Sequence, residues 1–294
     1  MSDADTEVFR SAVRADCHDR AFMLSAVAVP SAIHFDGAQY VLTVDPAYSA
    51  LAQGHLRSYE TESRPVPPLP EAPRVHPNAW IGCVLYLAVL VGVGLAISNG
   101  WWRLDAFELG ELDAEQVQNG QWWRAWTALT LHLDSAHLAA NLGAGVWFGY
   151  LAARQIGSGT AWLLIVSGAA LANLFESQFG PSTHRAVGAS TAVFTALGLL
   201  ASHSWRTRFH IPQRWALRWA PLVAGAVLLG WFGSAGEGTD IVAHALGFVF
   251  GCLLGAWAAL PAVERALSRV PQWLAGAAAV ASVGIAWACA LLRG

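Results

Sequence analysis

From residue 79 onward, long apolar runs alternate with short polar breaks. Seven runs stand out, near residues 79–98, 124–152, 160–178, 190–204, 215–233, 241–260 and 273–292. A helix rises about 1.5 Å per residue and a bilayer's hydrocarbon core is roughly 30 Å thick, so about 20 apolar residues cross it. Most of the runs meet that length. The fourth is the short one, ending where Trp205, Arg206 and Arg208 break it. Residues 1–62 carry no such run and read instead as a small α+β module. Arg10 to Val27 has helical periodicity, with Val13, Cys17, Phe22 and Ala26 near one face. Ala32 to Phe35 and Gln39 to Val44 read as strands around the Asp36-Gly37 turn signal. Asp45-Pro46 caps a second helix running to about Tyr59, for an order αββα.

Six of the thirteen prolines fall between Arg64 and Pro77. Residues 63–78 therefore read as a stiff, extended linker. The expected organisation is an accessory domain over 1–62, this linker, and a membrane domain over 79–294 with seven transmembrane helices. The fold class expected is an all-α polytopic membrane protein with a small soluble N-terminal domain.

Composition agrees with the pattern: 55% of residues are hydrophobic and only 13% charged, with mean hydropathy +0.42. All fifteen tryptophans follow Pro77, many near run ends, as interfacial belts require. All seventeen basic residues are arginine, which, with the abundant alanine and glycine, fits a GC-rich bacterial genome. The net charge of −3 gives no hint of nucleic acid. Four scattered cysteines with no CxxC pair indicate neither a disulfide framework nor a thiolate metal site. Asp3, Asp5 and Glu7 stand where a secretory signal would carry basic charge, so no signal peptide is expected.

Arginine placement sets the expected orientation. With the N-terminus inside, inner loops hold Arg154, Arg206, Arg208, Arg214, Arg218, Arg265 and Arg269, against Arg103, Arg124, Arg185 and Arg293 outside. The positive-inside rule then puts the N-terminus in the cytosol of a bacterial inner membrane and the C-terminus outside. The first outer loop, Asn99 to Gln121, sets Trp101, Trp102, Phe107, Leu109 and Leu112 among acids and reads as an interfacial segment.

Polar groups within apolar runs are costly enough to need a reason. The second run contains His132, His137 and Asn141, the fourth Ser190, the sixth His244. Counting back from the inner arginines places His137, Ser190 and His244 roughly 26, 24 and 32 Å from the inner boundary. Asn141 lies one turn below His137 on the same helical face. Four polar groups from three helices thus meet near one level. A serine becomes nucleophilic when a base takes its proton, and a neutral imidazole is such a base. A second imidazole, an amide side chain and the Ser190 backbone N–H can face the developing oxyanion. Asp240 lies one turn nearer the outside than His244, so the arrangement reads as a dyad rather than a triad.

These residues resemble the rhomboid family of intramembrane serine proteases over about Trp80 to Leu260. The resemblance rests on Trp123-Arg124, on HLAAN from His137 to Asn141, on GAS from Gly188 to Ser190, and on AHALGFVFG from Ala243 to Gly251. It implies a six-helix core, here followed by a seventh helix, and cleavage of transmembrane segments of other membrane proteins without a cofactor. By similarity Ser190 is the nucleophile, His244 the general base, and His137 with Asn141 the oxyanion side chains, supported by Gly188, Phe194 and Gly247. Three positions depart from the family pattern. Thr191 stands for a glycine after the nucleophile, Phe194 for a tyrosine under the base imidazole, and Ala153 for an acidic residue near the inner end of the second helix.

Other readings remain open. Gly247 to Gly251 is a GxxxG face and Ser190 to Gly198 suits close helix packing, neither requiring chemistry. A catalytically impaired relative would bind or retain membrane clients instead of cutting them. A metalloenzyme using His132, His137 and His244 is disfavoured, because HxxxxH does not put both imidazoles on one helical face and no carboxylate completes the set. His132 reads as a structural donor to the outer loop. His18, His34 and His55 read as solvated surface, and His184, His203 and His210 receive no role.

Overall fold

The computed structural model describes residues 5–62, 75–100, 105–208, 215–233 and 240–293. Most of the proline-rich linker, together with Trp101, Trp102, Arg103, His210 and Arg214, lies outside the described residues. The chain divides into two compact units, Met1–Glu71 and Ala72–Gly294.

In the first unit, strand β1 (Thr6–Ser11) precedes helix α1 (Arg14–Ala26). Strands β2 (Ser31–Phe35) and β3 (Tyr40–Val44) follow, and a single turn at Pro46–Tyr48 leads into α2 (Ser49–Glu62). The sheet is antiparallel in the order β1-β3-β2. Leu24, Val29, Leu42, Val44, Ala52 and Leu56 form its buried core. The order is βαββα, not αββα, and Arg10 belongs to a strand. A bulge between Glu7 and Phe9 breaks the register of β1 on β3. It sets Val8 and Phe9 side by side and removes the strict alternation by which strands are recognised.

The second unit opens with α3 (Trp80–Ser98). A folded connecting segment follows: α4 (Ala106–Gly110), β4 (Leu112–Asp113), α5 (Ala114–Gln118) and α6 (Arg124–Thr127). Helices α7 (Ser135–Ile156) and α8 (Ser158–Phe179) come next, then the short strand β5 (Arg185–Ala186) and α9 (Ser190–Arg208). The chain continues through α10 (Trp215–Gly233), α11 (Ile241–Ala258), the short α12 (Pro261–Leu267) and α13 (Gln272–Arg293). Among the described residues four helices, α3, α8, α11 and α13, are long and apolar enough to cross a membrane by length and composition. The polar groups of α7 and α9 dilute theirs. Helix α9 runs four residues beyond Ser204.

Helix α8 is the central post. Two-thirds of its apolar window is buried inside the protein, against 17% for α3. Gln118 Nε2 of α5 donates to its Ser177 carbonyl (2.7 Å), and its own Asn173 Nδ2 donates to Ala125 of α6 (2.9 Å). The connecting segment is part of this packing. Leu109 and Leu112 are buried in the protein, and Gly110 lies against the Trp287 ring of α13. Arg124 holds the segment together, donating to the carbonyls of Glu108 (2.8 Å) and Glu111 (3.0 Å) and to Gln121 Oε1 (2.6 Å).

Helices α9 and α11 touch backbone to backbone. The space a Cβ would need at Gly247, Gly251 and Gly255 of α11 is taken by the carbonyls of Thr191, Thr195 and Leu199, and at Gly198 of α9 by that of Phe248. In lipid no hydrophobic force drives helices together, so this contact is held by van der Waals attraction, which close approach of small residues maximises.

Candidate active site

Each polar residue of the site sits at or near a helix start. Asp134 caps α7, its Oδ1 accepting from His137 N (2.8 Å), and this sets His137 in the first turn with Asn141 one turn below. Tyr86 Oη of α3 donates to the Asn141 carbonyl (2.8 Å) and holds α7 from behind. Asn141 is 6% exposed, and its Nδ2 has no hydrogen-bond partner among the described residues. A buried amide donor left unpaired costs about 1–3 kcal/mol and marks a place where a partner is expected.

The segment entering α9 is pinned on both sides. Arg185 pairs with Glu111 (3.1 Å) and Asp113 (3.0 Å) across the β4–β5 ladder. Gly188 N donates to the Ala128 carbonyl (2.9 Å), and Ala189 N donates to His132 Nε2 at 3.3 Å. His132 therefore accepts from the serine's own loop, a partner different from the outer-loop acceptor expected for it. Gly188 has φ +134°, and a Cβ there would come within 2.8 Å of the His137 ring, so glycine is required twice over. Ser190 is the first residue of α9.

Asp240 caps α11 through Ala243 N (3.0 Å), and its carbonyl accepts from His244 N (3.2 Å). The His244 ring lies on Phe194, one turn after Ser190, with centroids 4.5 Å apart. One turn further along α11, Gly247 packs on Thr191. The imidazole is thus placed over the serine's turn by a ring contact above a glycine contact.

Ser190, His244, His137 and Asn141 line one cavity of about 1140 Å³, together with Phe194, Trp147, Glu111, Arg185 and Asp240. Gly188 and Gly247 stand behind it as backbone contacts. His203 is elsewhere, buried beside Gln155 Oε1 at 3.0 Å.

A second cluster adjoins the cavity. His184 Nε2, in the loop before β5, lies 3.1 Å from Asp240 Oδ2 and 3.7 Å from Glu176 Oε1. Asp240 and Glu176 beside it raise the His184 pKa above its ordinary value, although burial opposes them. Burial alone would raise Asp240, but His184 and the Ala243 N–H hold it below the usual carboxylate range. Glu176 is the acidic group the sequence reading passed over. Its signal was a carboxylate inside the third apolar run.

Residues 119–260 match the sequence model of the Rhomboid domain. Among curated proteins the chain is similar to Rhomboid protease GluP of Bacillus subtilis (strain 168), 30% identical over 115 residues, which are 39% of this chain and 22% of that protein. It is also similar to the rhomboid-type protein YdcA of the same organism, 29% identical over 141 residues, 47% of this chain and 68% of that protein. The chain thus matches less than a quarter of the first relative's length. With the Rhomboid domain match over residues 119–260, the similarity to these two relatives and several apolar helices long enough to span, the chain is a membrane-embedded protein that resembles the rhomboid family.

Proposed function

We propose that this protein is an intramembrane serine endopeptidase that cuts transmembrane segments of other membrane proteins with a Ser190–His244 dyad. The observation that carries the reading is the shared cavity, in which a helix-start serine, an imidazole on a neighbouring helix and two polar side chains of a third helix face one space. In the acylation step His244 takes the Ser190 Oγ proton as Oγ bonds the scissile carbonyl carbon, and the proton then passes to the leaving amine nitrogen. The tetrahedral oxyanion is met by Asn141 Nδ2, the His137 ring and the Ser190 backbone N–H. Asn141 suits this role because its amide is buried with no partner of its own among the described residues. Water then attacks the acyl-serine, His244 accepting its proton and returning one to Ser190 Oγ.

The two residues that depart from the family pattern near the serine remove no reacting atom. Phe194 keeps a ring under His244, and Thr191 is accommodated against Gly247. The arginine distribution supports a cytosolic N-terminal accessory domain and an outward C-terminus in a bacterial inner membrane. Ser190→Ala and His244→Ala, purified in detergent, should each abolish cleavage of a model transmembrane substrate while keeping the wild-type melting temperature. Substantial cleavage by either folded variant overturns the assignment and moves the protein to the client-binding class.

A further inference from the structure

The geometry points to a divalent transition-metal site, zinc by its donor set, formed by Glu176, His184 and Asp240 at the mouth of the cavity. One ligand atom from each of the three side chains lies within 4.8 Å of the other two. Zinc bonded to imidazole nitrogen and carboxylate oxygen at about 2.0–2.2 Å in a tetrahedron sets its donors roughly 3.4 Å apart. The separations of 3.1 Å from His184 to Asp240 and 3.7 Å from His184 to Glu176 bracket that spacing.

The second observation is the state of the donors. The Glu176 side chain is 4% exposed, and its Oε2 has no hydrogen-bond partner among the described residues. His184 Nε2 and Asp240 Oδ2, 3.1 Å apart, pair with each other when the imidazole carries a proton. Three side chains whose polar atoms gather this closely, one of them a buried carboxylate with an unused oxygen, can share one cation in place of a proton. Two carboxylates and an imidazole that gives up its proton on binding neutralise a doubly charged ion, relieving the cost of negative charge at the end of a buried helix. An imidazole among carboxylates favours zinc over calcium or magnesium, which prefer oxygen alone. Three protein ligands leave a fourth position for water.

The ion would act as a staple. Glu176 is near the outer end of α8, His184 precedes Ser190 by six residues, and Asp240 precedes His244 by one helical turn. One bound ion would tie both dyad-bearing segments to the central helix. The inference stands on the cluster alone and not on proteolysis.

The test is zinc binding by the full-length protein in detergent, with any purification tag removed and the sample first stripped with chelator. Metal content after dialysis against buffered zinc, and affinity by competition with a chromophoric chelator, are measured for wild type, His184→Ala and Glu176→Gln. Wild type should hold one zinc per chain and melt at a higher temperature with zinc than without. Each variant should bind at least tenfold more weakly and lose that stabilisation. His184 lies in a loop and is partly exposed, so its variant keeps the test decisive if Glu176→Gln misfolds. Wild type that takes up no zinc at micromolar free ion, or a His184→Ala variant that binds it equally well, overturns the site.

Discussion

Gly247→Ala tests whether the glycine face of α11 sets the position of the base. A Cβ at 247 would lie 2.6 Å from the Thr191 carbonyl oxygen and 3.2 Å from Thr191 Cγ2, whereas ordinary contact begins at 3.4 Å. The first obstacle is backbone, so no rotamer relieves it. The helices must part locally by about 0.8 Å or tilt, and interiors this dense do not absorb the change silently. Overpacking of this kind costs about 1–3 kcal/mol, and the better helix propensity of alanine returns up to about 1 kcal/mol. The net loss of stability is therefore small, roughly 0–2 kcal/mol. Catalysis should suffer more. His244 is one turn away on the same helix, and a displacement near 1 Å in a reacting geometry costs on the order of 10²-fold. The assay is cleavage of a model transmembrane substrate per folded molecule, with Gly284→Ala as control because a Cβ there meets nothing within 4 Å. A loss of ten- to a hundredfold at 247, with none at 284, is expected. A folded Gly247→Ala protein with wild-type turnover refutes the argument.

Asn141→Ala should lower turnover by about 10²- to 10³-fold with little change in substrate affinity, as removal of one oxyanion donor among several does; an unchanged rate would exclude the amide from the site. Thr191→Gly removes a buried side chain from the Gly247 contact and frees the unfolded backbone. It should cost about 1–2 kcal/mol by thermal unfolding while changing activity per folded molecule less than tenfold; a hundredfold gain would mean that Thr191 obstructs the serine's turn. In the first unit, the backbone N–H groups of Gln39 and Ala38 hold Asp36 below its ordinary carboxylate pKa. A depressed folded pKa gives stability that is present above the ordinary value of about 4 and lost as pH falls below it. Hydrogen exchange of the β2–β3 amides, corrected for intrinsic rate, should therefore quicken between about pH 5 and pH 3 in wild type and change less in Asp36→Asn.

Helices α3, α8, α11 and α13 were legible because their signal is length and apolarity. The gathering of four polar groups was legible for a related reason. Ser190, His137, Asn141 and His244 are polar groups where polarity is costly, and counting from the inner arginines put them near one level. In the structure all four line one cavity. What escaped reading depends on contacts between distant segments. The bulge at Val8 hid β1 by breaking its alternation. Leu109 and Leu112 look interfacial among their acidic neighbours, yet both are buried in the protein, Leu112 in one cluster with Ala170 of α8. Glu176 and His184 are eight residues apart across a turn, and only the fold brings Asp240 to them. The glycines of α11 announced close packing, but their partners, the carbonyls of Thr191, Thr195 and Leu199, are visible only in three dimensions.

The central claim is that Ser190 is a nucleophile activated by His244. It is tested most directly by the rate at which a fluorophosphonate probe labels the detergent-purified protein, since that reaction reports an activated serine without knowledge of the substrate. The account predicts stoichiometric labelling of wild type at Ser190, located by peptide mass spectrometry, and none of Ser190→Ala or His244→Ala. A folded wild-type protein that stays unlabelled, or labelling that survives in His244→Ala, would contradict it.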